Sequence, residues 1–473
     1  MPKDNDFFEN IKVVLQDSGK INSQILNLLS NISFSRISED VRTVYQRSSL
    51  IKWLLIMKLL GVSSICDSVK GEWSDILKFK KDVLYKIKNS ESINWRSLLL
   101  QQSWLSMKGV TLENSSKDIT QTPCFIIDDT DLPKRGKCME MIGRIFSHVT
   151  HRYELGYKSL NLSFWSGKHL LHLDFSIHVE LGKNNNQGMK AKELKNRYAK
   201  QRKDNSAGQK RVQELIKKKT DSAISMIRRA INKGFKARYI LADSWFFNTA
   251  LAKFAIDQKV HLISRPKFNN WKYEYEDKLY TVGELVKKLR YSKKAKWNRH
   301  LRLRFISVKV KFKGMDMKLF LYKEKKRGTK WHAIITTDLT LSAQKTFKIY
   351  QTRWTIESSY KELKQILKLG KCMSRDFDAQ ISDATQCLMC YNILSHMKAI
   401  NDHQSIGALF NQVSQQWLKP TLMNKFWEQL YEALKHLAEI IAKPIDEIIQ
   451  LLVSNSKFIS NLKKINSILT TET

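Results

Sequence analysis

Three acidic residues stand where the surrounding sequence would offer a carboxylate to a ligand: Asp128 after the apolar run CFII, Asp243 after YILA, and Glu357 inside a long amphipathic stretch. Carboxylates at strand ends lie at the rim of a sheet, within reach of a bound molecule. Each Asp also has an ordinary role open to it, because Asp before Thr or Ser is common in turns and helix caps, as DDT and ADSW illustrate. Glu357 is accompanied. Tyr350, Arg353, Glu357 and Lys364 are offset by 3, 7 and 14 residues. At roughly 100° per residue they share a helix face within an arc of about 60°. Ile349, Ile356, Leu363 and Leu367 form an adjacent apolar stripe that would anchor the helix on a core. Glu and Lys are frequent on salt-bridged helix surfaces. An Arg and a Lys aligned with a Glu and a Tyr also suit a metal ion and the phosphates beside it.

The elements that must position these side chains follow from periodicity. Residues 1–118 read as helical, with apolar positions three and four apart in KINSQILNLLSNI, SLIKWLLIMKLL and DILKFKKDVLYKI, and a polar break at 111–121 closes the region. Strands follow at 122–129, 157–166 and 169–181, as an antiparallel meander. A helix at 222–234 with a terminal glycine, the strand 237–243, a helix from Ser244 and the strand 260–266 complete an order βββαβαβ, which predicts a mixed sheet flanked by helices. Residues 267–340 predict a strand-rich insertion, with a hairpin turning near Arg327 and Gly328. One continuous helix is expected over 345–369, and further helices beyond it. The expected organisation is a helical N-terminal region, 1–118; a catalytic domain in two parts, 119–266 and 341–375; the insertion, 267–340; and a helical C-terminal region, 376–473.

Charge narrows the function. With 82 Lys and Arg against 45 Asp and Glu, the chain carries a net charge of +37, which attracts polyanions, nucleic acid first among them. The segment 183–219 concentrates this, with thirteen Lys or Arg against three acids, and reads either as a solvated loop and helix or as an arm along DNA phosphates. No membrane role is expected: the most apolar stretch, 51–65, carries Lys52 and Lys58 and is too short to span a bilayer, and the polar start MPKDNDFFEN is unlike a secretory signal. Six cysteines in 473 residues suggest a reducing compartment, and Cys387 and Cys390, a CxxC without a second pair, read as core. His148, His151, His169 and His172 read as structural or DNA-contacting residues rather than metal ligands.

The spacing of Tyr350, Arg353, Glu357 and Lys364 resembles the signature of the insertion-sequence-4 family of bacterial transposases, and IIDDTDLPKRGK around Asp128 and YILADSWF around Asp243 are similar to that family's segments. The resemblance covers about residues 122–370 and includes the strand-rich insertion between the second and third motifs. It implies an α/β, ribonuclease-H-like catalytic domain with an Asp, Asp, Glu triad, carried here by Asp128, Asp243 and Glu357. Either Asp128 or Asp129 could supply the first ligand; the family's Asp, any residue, Thr or Ser pattern favours Asp128, with Asp129 facing away by strand alternation. It further implies a cut-and-paste enzyme of the bacterial cytoplasm and nucleoid that binds terminal inverted repeats and joins them to target DNA, working as a homodimer formed on DNA. No helix-turn-helix stands out in 1–118. In some relatives an aromatic residue receives a flipped base, and Trp271, Trp297 and Trp331 are the insertion's candidates, each also suited to packing.

Phosphodiester chemistry fits three carboxylates. The nucleophile must approach an anion and the departing alkoxide must be stabilised, and two divalent ions about 3.5–4 Å apart meet both needs. Hard oxygen donors suit Mg²⁺ or Mn²⁺ rather than zinc. Arg353, through its bidentate fork, and Lys364, as a point charge, would hold phosphates near the cut, and Tyr350 would contact one through its hydroxyl. Two rivals are open on sequence alone: a DNA-binding repressor of this ancestry without catalysis, and a metal-dependent nuclease that cuts without joining.

Overall fold

The computed structural model of the chain describes residues 8–9, 11–12, 19–34, 45–62, 64–70, 77, 79–108, 121–148, 150–299, 302–324, 330–403 and 405–471. The chain divides into two compact units, one of residues 1–31, 38–87 and 403–473, the other of 32–37 and 88–402. No helix among the described residues is long and apolar enough to cross a membrane. Apart from Gln121, the polar break expected at 111–121 lies outside the described residues, as does the turn expected at Arg327 and Gly328.

The first unit is helical. Among the described residues it comprises α1 (Lys20–Ser30), α2 (Arg47–Leu59), α3 (Ile65–Lys70) and α4 (Lys81–Lys88), with C-terminal helices at Ile406–Ile440, Ile445–Ser454 and Ser456–Thr471. Its interior holds Trp53 and Trp417, both fully buried, and Asn22 of α1 donates to Gln416 across it at 3.2 Å.

The second unit is built on one mixed sheet. In chain order its elements are α5 (Trp95–Lys108), β1 (Cys124–Pro133), β2 (Gly143–Ser147), β3 (Arg152–Trp165), β4 (Leu170–His178), α6 (Ala191–Lys195), α7 (Ala207–Glu214), α8 (Lys219–Lys233), β5 (Tyr239–Ala242), α9 (Thr249–Asp257) and β6 (His261–Ser264). Then come β7 (Tyr273–Tyr275), β8 (Lys278–Tyr280), α10 (Val282–Leu289), β9 (Lys296–Asn298), β10 (Leu303–Phe312), β11 (Met315–Glu324), β12 (His332–Thr336), α11 (Ala343–Gln351), α12 (Trp354–Gln365) and α13 (Phe377–Ile400). The strands run β2-β3-β1-β5-β6-β12-β11-β10-β7-β8 across the sheet, with β4 on β3 and β9 on β10. The pairs β1–β5 and β5–β6 are parallel and the other pairs antiparallel. Strands covered on both faces read as unbroken apolar runs, and YILA of β5, all four residues buried, is such a run. Helix α8 lays Ala223, Met226, Ile227 and Ala230 on the core and ends at Gly234, whose φ of +108° needs a residue without a side chain; a Cβ there would meet the Trp104 ring at 2.7 Å.

Four expectations are corrected in detail. Strand β2 adds an edge where the sequence pattern assigned no strand, pairing Gly143–Ser147 with the start of β3. The first strand does not stop at Asp129: it runs to Pro133, because the long strand β3 pairs it residue for residue from Trp165 back to Gly156. The expected insertion includes a helix, α10, started by a capping box between Thr281 and Glu284, and its strands extend the central sheet through β12 on β6. The single helix expected over 345–369 is two. Between α11 and α12, Thr352, Arg353, Thr355 and Ile356 donate to residues three back, at 3.1–3.3 Å, so the chain is wound more tightly there than in an α-helix.

Candidate active site

Register sets the site. Ile127 lies opposite Ala242 in the parallel pair β1–β5, so Asp128 and Asp243 are the next residues of two neighbouring strands. There the strands part. β1 continues with β3, whereas Asp243 accepts the backbone N–H groups of Trp245 at 2.9 Å and Phe246 at 3.2 Å on Oδ1 and turns the chain toward α9. The ordinary turn-forming role of this Asp is therefore real, and it places the carboxylate beside Asp128.

Helices α11 and α12 are fastened to both strands by their polar residues. The Tyr350 hydroxyl donates to the carbonyl of Ala242 at 3.3 Å, and the Tyr360 hydroxyl to that of Asp128 at 3.1 Å. Lys364 donates to Thr130 Oγ1 at 2.7 Å. Arg353, at the tight joint between the helices, places Nη2 2.7 Å from Glu357 Oε1 and Nη1 3.8 Å from Asp128 Oδ2. The four signature residues thus share one side of the helix pair although that pair is not one continuous helix. Arg353 reaches both Asp128 and Glu357, while Tyr350 and Lys364 hold β5 and β1. Sequence periodicity missed Tyr360; its signal was its place three residues after Glu357, on the same face.

The electrostatics are those of crowded acid. Burial pushes the Asp128 carboxyl up to about 7; Arg353 opposes this, and Asp129, Asp243 and Glu357 add to the rise. Burial raises Asp243 as well, against the two backbone N–H groups that favour its charged form. Burial also disfavours the Arg353 charge, but Tyr350, Asp128 and Glu357 outweigh it and hold the guanidinium protonated. Its Nε is buried without a hydrogen-bond partner. Burial lowers Lys364 and raises Tyr350 to about 12.

Among the described residues no three His, Cys, Asp or Glu side chains stand close enough together to hold a metal ion. Glu357 is drawn to Arg353 instead. The donor set nevertheless fits a hard divalent cation: burial pushes two adjacent carboxylates toward protonation, added positive charge would relieve both, and a third carboxylate lies within one guanidinium's span. His169 and His172 are buried and engaged, His169 Nδ1 with Ser166 at 2.8 Å, and His172 with Ser163 at 2.9 Å and Ser359 at 3.1 Å. Burial lowers the pKa of both to about 3, so they are neutral core residues. His148 and His151 are exposed. Cys387 and Cys390 are buried in α13. Trp271 stacks on Phe312 at 5.4 Å, and Trp297 is half-exposed on β9.

The basic segment 183–219 serves two purposes. Arg197, Lys200, Arg202, Arg211 and Lys219 are turned inward: Arg202 and Lys200 bind Glu140, Asp376 and Asp378, Arg211 binds the Phe175 carbonyl and Glu214, and Lys219 binds Asp129. Lys183, Lys190, Lys192, Lys195, Lys203, Lys210, Lys217 and Lys218 remain exposed.

No curated protein matches the chain. Residues 104–281, which hold Asp128 and Asp243, match the family model of the DDE superfamily endonuclease. Residues 216–393, which hold Asp243, Glu357 and helices α11 and α12, match that of the transposase DDE domain. A large mixed sheet with flanking helices is consistent with both matches, and over residues 104–393 the chain is similar to DDE transposases and DDE endonucleases.

Proposed function

We propose that the protein is a cut-and-paste DNA transposase with a ribonuclease-H-like core, of the insertion-sequence-4 family, acting in the bacterial cytoplasm and nucleoid. The observation that carries this reading is Arg353, which touches both Asp128 and Glu357 while Asp243 adjoins Asp128 in strand register. Asp128, Asp243 and Glu357 would hold two Mg²⁺ or Mn²⁺ ions, which when bound activate water or a 3′-hydroxyl and stabilise the departing oxygen. Arg353 offers its guanidinium to a phosphate oxygen and keeps it charged among the acids. Lys364 holds Thr130, two residues beyond Asp128, and stands beside the path of the DNA backbone. Tyr350 fixes the end of β5, and hence Asp243, through its hydroxyl on the Ala242 carbonyl, and that hydroxyl would contact a phosphate when DNA is bound. The substrate is double-stranded DNA: the terminal inverted repeats of the element, held as a pair by a homodimer assembled on them, and then the target. The helical regions 1–118 and 376–473 contribute end binding and pairing, and 267–340 is the insertion within the catalytic domain.

The test supplies uncut and precut repeat ends in parallel, a plasmid target and Mg²⁺. Joined product is expected. Cleavage of uncut ends without joining would assign the protein as a nuclease, and tight binding with neither reaction as a repressor.

The exposed lysines of 183–219 supply a second expected result. Replacing Lys192, Lys195, Lys203 and Lys210 with Gln weakens binding to any duplex and flattens the dependence of log K on log salt by about 0.9 for each phosphate no longer neutralised. An unchanged slope would place the DNA on another face.

A further inference from the structure

We infer that Lys219 is a positioning residue that selects between the two consecutive aspartates of β1, holding Asp129 away from the metal ions so that Asp128 serves them. The inference rests on the reading of Asp128, Asp243 and Glu357 as the ligand set. Successive strand residues point to opposite faces, which separates Asp128 from Asp129 at the outset. This separation is weak here, because β5 stops opposite Ile127 and leaves the edge of β1 at Asp128 and Asp129 without a strand on that side. A free carboxylate at Asp129 could turn past that open edge and compete for a cation. Lys219 prevents it.

The arrangement around Lys219 is built from several elements. Its Nζ pairs with Asp129 Oδ2, and it lies 4.9 Å over the ring of Trp245. Trp245 is in turn fixed by its own N–H to Asp243 Oδ1 at 2.9 Å, so one ammonium group connects the acid after Asp128 to the loop after Asp243. The backbone beneath is anchored too. Lys219 is the first residue of α8, and Thr220 beside it accepts a 3.0 Å hydrogen bond from Asn248, the N-cap of α9. With its side chain only 16% exposed, Lys219 is poorly placed to spend its charge on solvent or on a distant phosphate. The charge balance then follows: four carboxylates, Asp128, Asp129, Asp243 and Glu357, face two cations, Arg353 and Lys219, and Lys219 cancels the one acid that is not a ligand.

The test reads Mn²⁺ binding by electron paramagnetic resonance, with no DNA present, beside Mg²⁺-dependent cleavage. Lys219→Met frees Asp129. Mn²⁺ is expected to bind roughly tenfold more tightly in that variant, while cleavage falls roughly a hundredfold because the ions shift from their working place. Adding Asp129→Asn to Lys219→Met restores both, Lys219→Arg preserves both, and Asp129→Asn alone keeps cleavage within a few-fold of the parent. Thermal melting of the neutral pair Lys219→Met, Asp129→Asn keeps a folding defect separate from a metal effect. Two results would overturn the inference: Lys219→Met weakening DNA binding with no rescue by Asp129→Asn, which makes Lys219 a phosphate contact, or Asp129→Asn abolishing Mn²⁺ binding while Asp128→Asn does not. Mn²⁺ affinity that ignores Asp243→Asn and Glu357→Gln would instead remove the ligand set itself, whatever Lys219 does.

Discussion

Asp243→Asn and Glu357→Gln each lower Mg²⁺-dependent cleavage of repeat-ended DNA by about a thousandfold or more, while DNA affinity changes by less than about twofold. The rate loss reflects the several kcal/mol of transition-state stabilisation that an ion supplies, each 1.36 kcal/mol being tenfold in rate. The affinity is spared because duplex binding is carried by the surplus of 82 basic over 45 acidic side chains, which neither substitution touches. Both changes keep the side-chain shape. Asn at 243 retains an oxygen for the N–H groups of Trp245 and Phe246, so the turn after β5 survives. Gln at 357 retains an acceptor for Arg353. Gel-shift binding and a cleavage time course on the same preparations check both halves, and full activity in either variant would take that residue out of the mechanism.

Asp174→Ala has the largest expected effect on stability. The Asp174 side chain is 1% exposed on β4, and two guanidiniums reach it, Arg96 Nε at 2.8 Å and Arg229 Nη2 at 2.7 Å. Arg96 also binds Glu214, which Arg211 approaches at 3.4 Å, so three arginines share two acids in the interior. Burial by itself would push the Asp174 carboxyl up; Arg96, Arg229 and Arg211 outweigh it and hold it down at about 2. Removing one partner of such a buried network leaves uncompensated charge and costs about 3–5 kcal/mol, whereas an exposed pair is worth little. The expected outcome is a clear fall in the chemical-denaturation midpoint for Asp174→Ala and an unchanged midpoint for Glu432→Gln, which breaks the exposed pair with Lys435. The sign of the pH dependence follows from the lowered carboxyl. The stabilisation is complete above the unfolded value of about 4 and is lost as pH falls toward 2. A midpoint for Asp174→Ala equal to that of the parent would show the network to be energetically idle.

Much of the candidate site was legible because its elements are encoded locally. Asp128 and Asp243 each follow an apolar run that only a covered strand accommodates, and the 3, 7 and 14 spacing places Tyr350, Arg353, Glu357 and Lys364 on one side of a helical segment. Even the tight joint at 352–353 does not undo this, since a single compressed turn rotates the following residues by a fraction of the arc they share. What periodicity could not supply was the identity of each group's partner. The basic segment 183–219 looks uniform along the chain, yet Arg202 finds Glu140 62 residues away and Lys200 finds Asp378 178 residues away, while Lys192 and Lys195 stay in solvent.

Residue order by itself determined the positive field, the apolar runs that lead into Asp128 and Asp243, and the helical face bearing Glu357, because these depend on composition and on neighbours within a few residues. Tertiary structure decided the rest: that β1 runs on to Pro133, that the strands of 267–340 continue the central sheet, that α13 is enclosed on all sides, and that five cations of the basic segment turn inward. The physical reason is that strand pairing, burial and charge neutralisation are satisfied by partners tens to hundreds of residues away, which no repeat along the chain records.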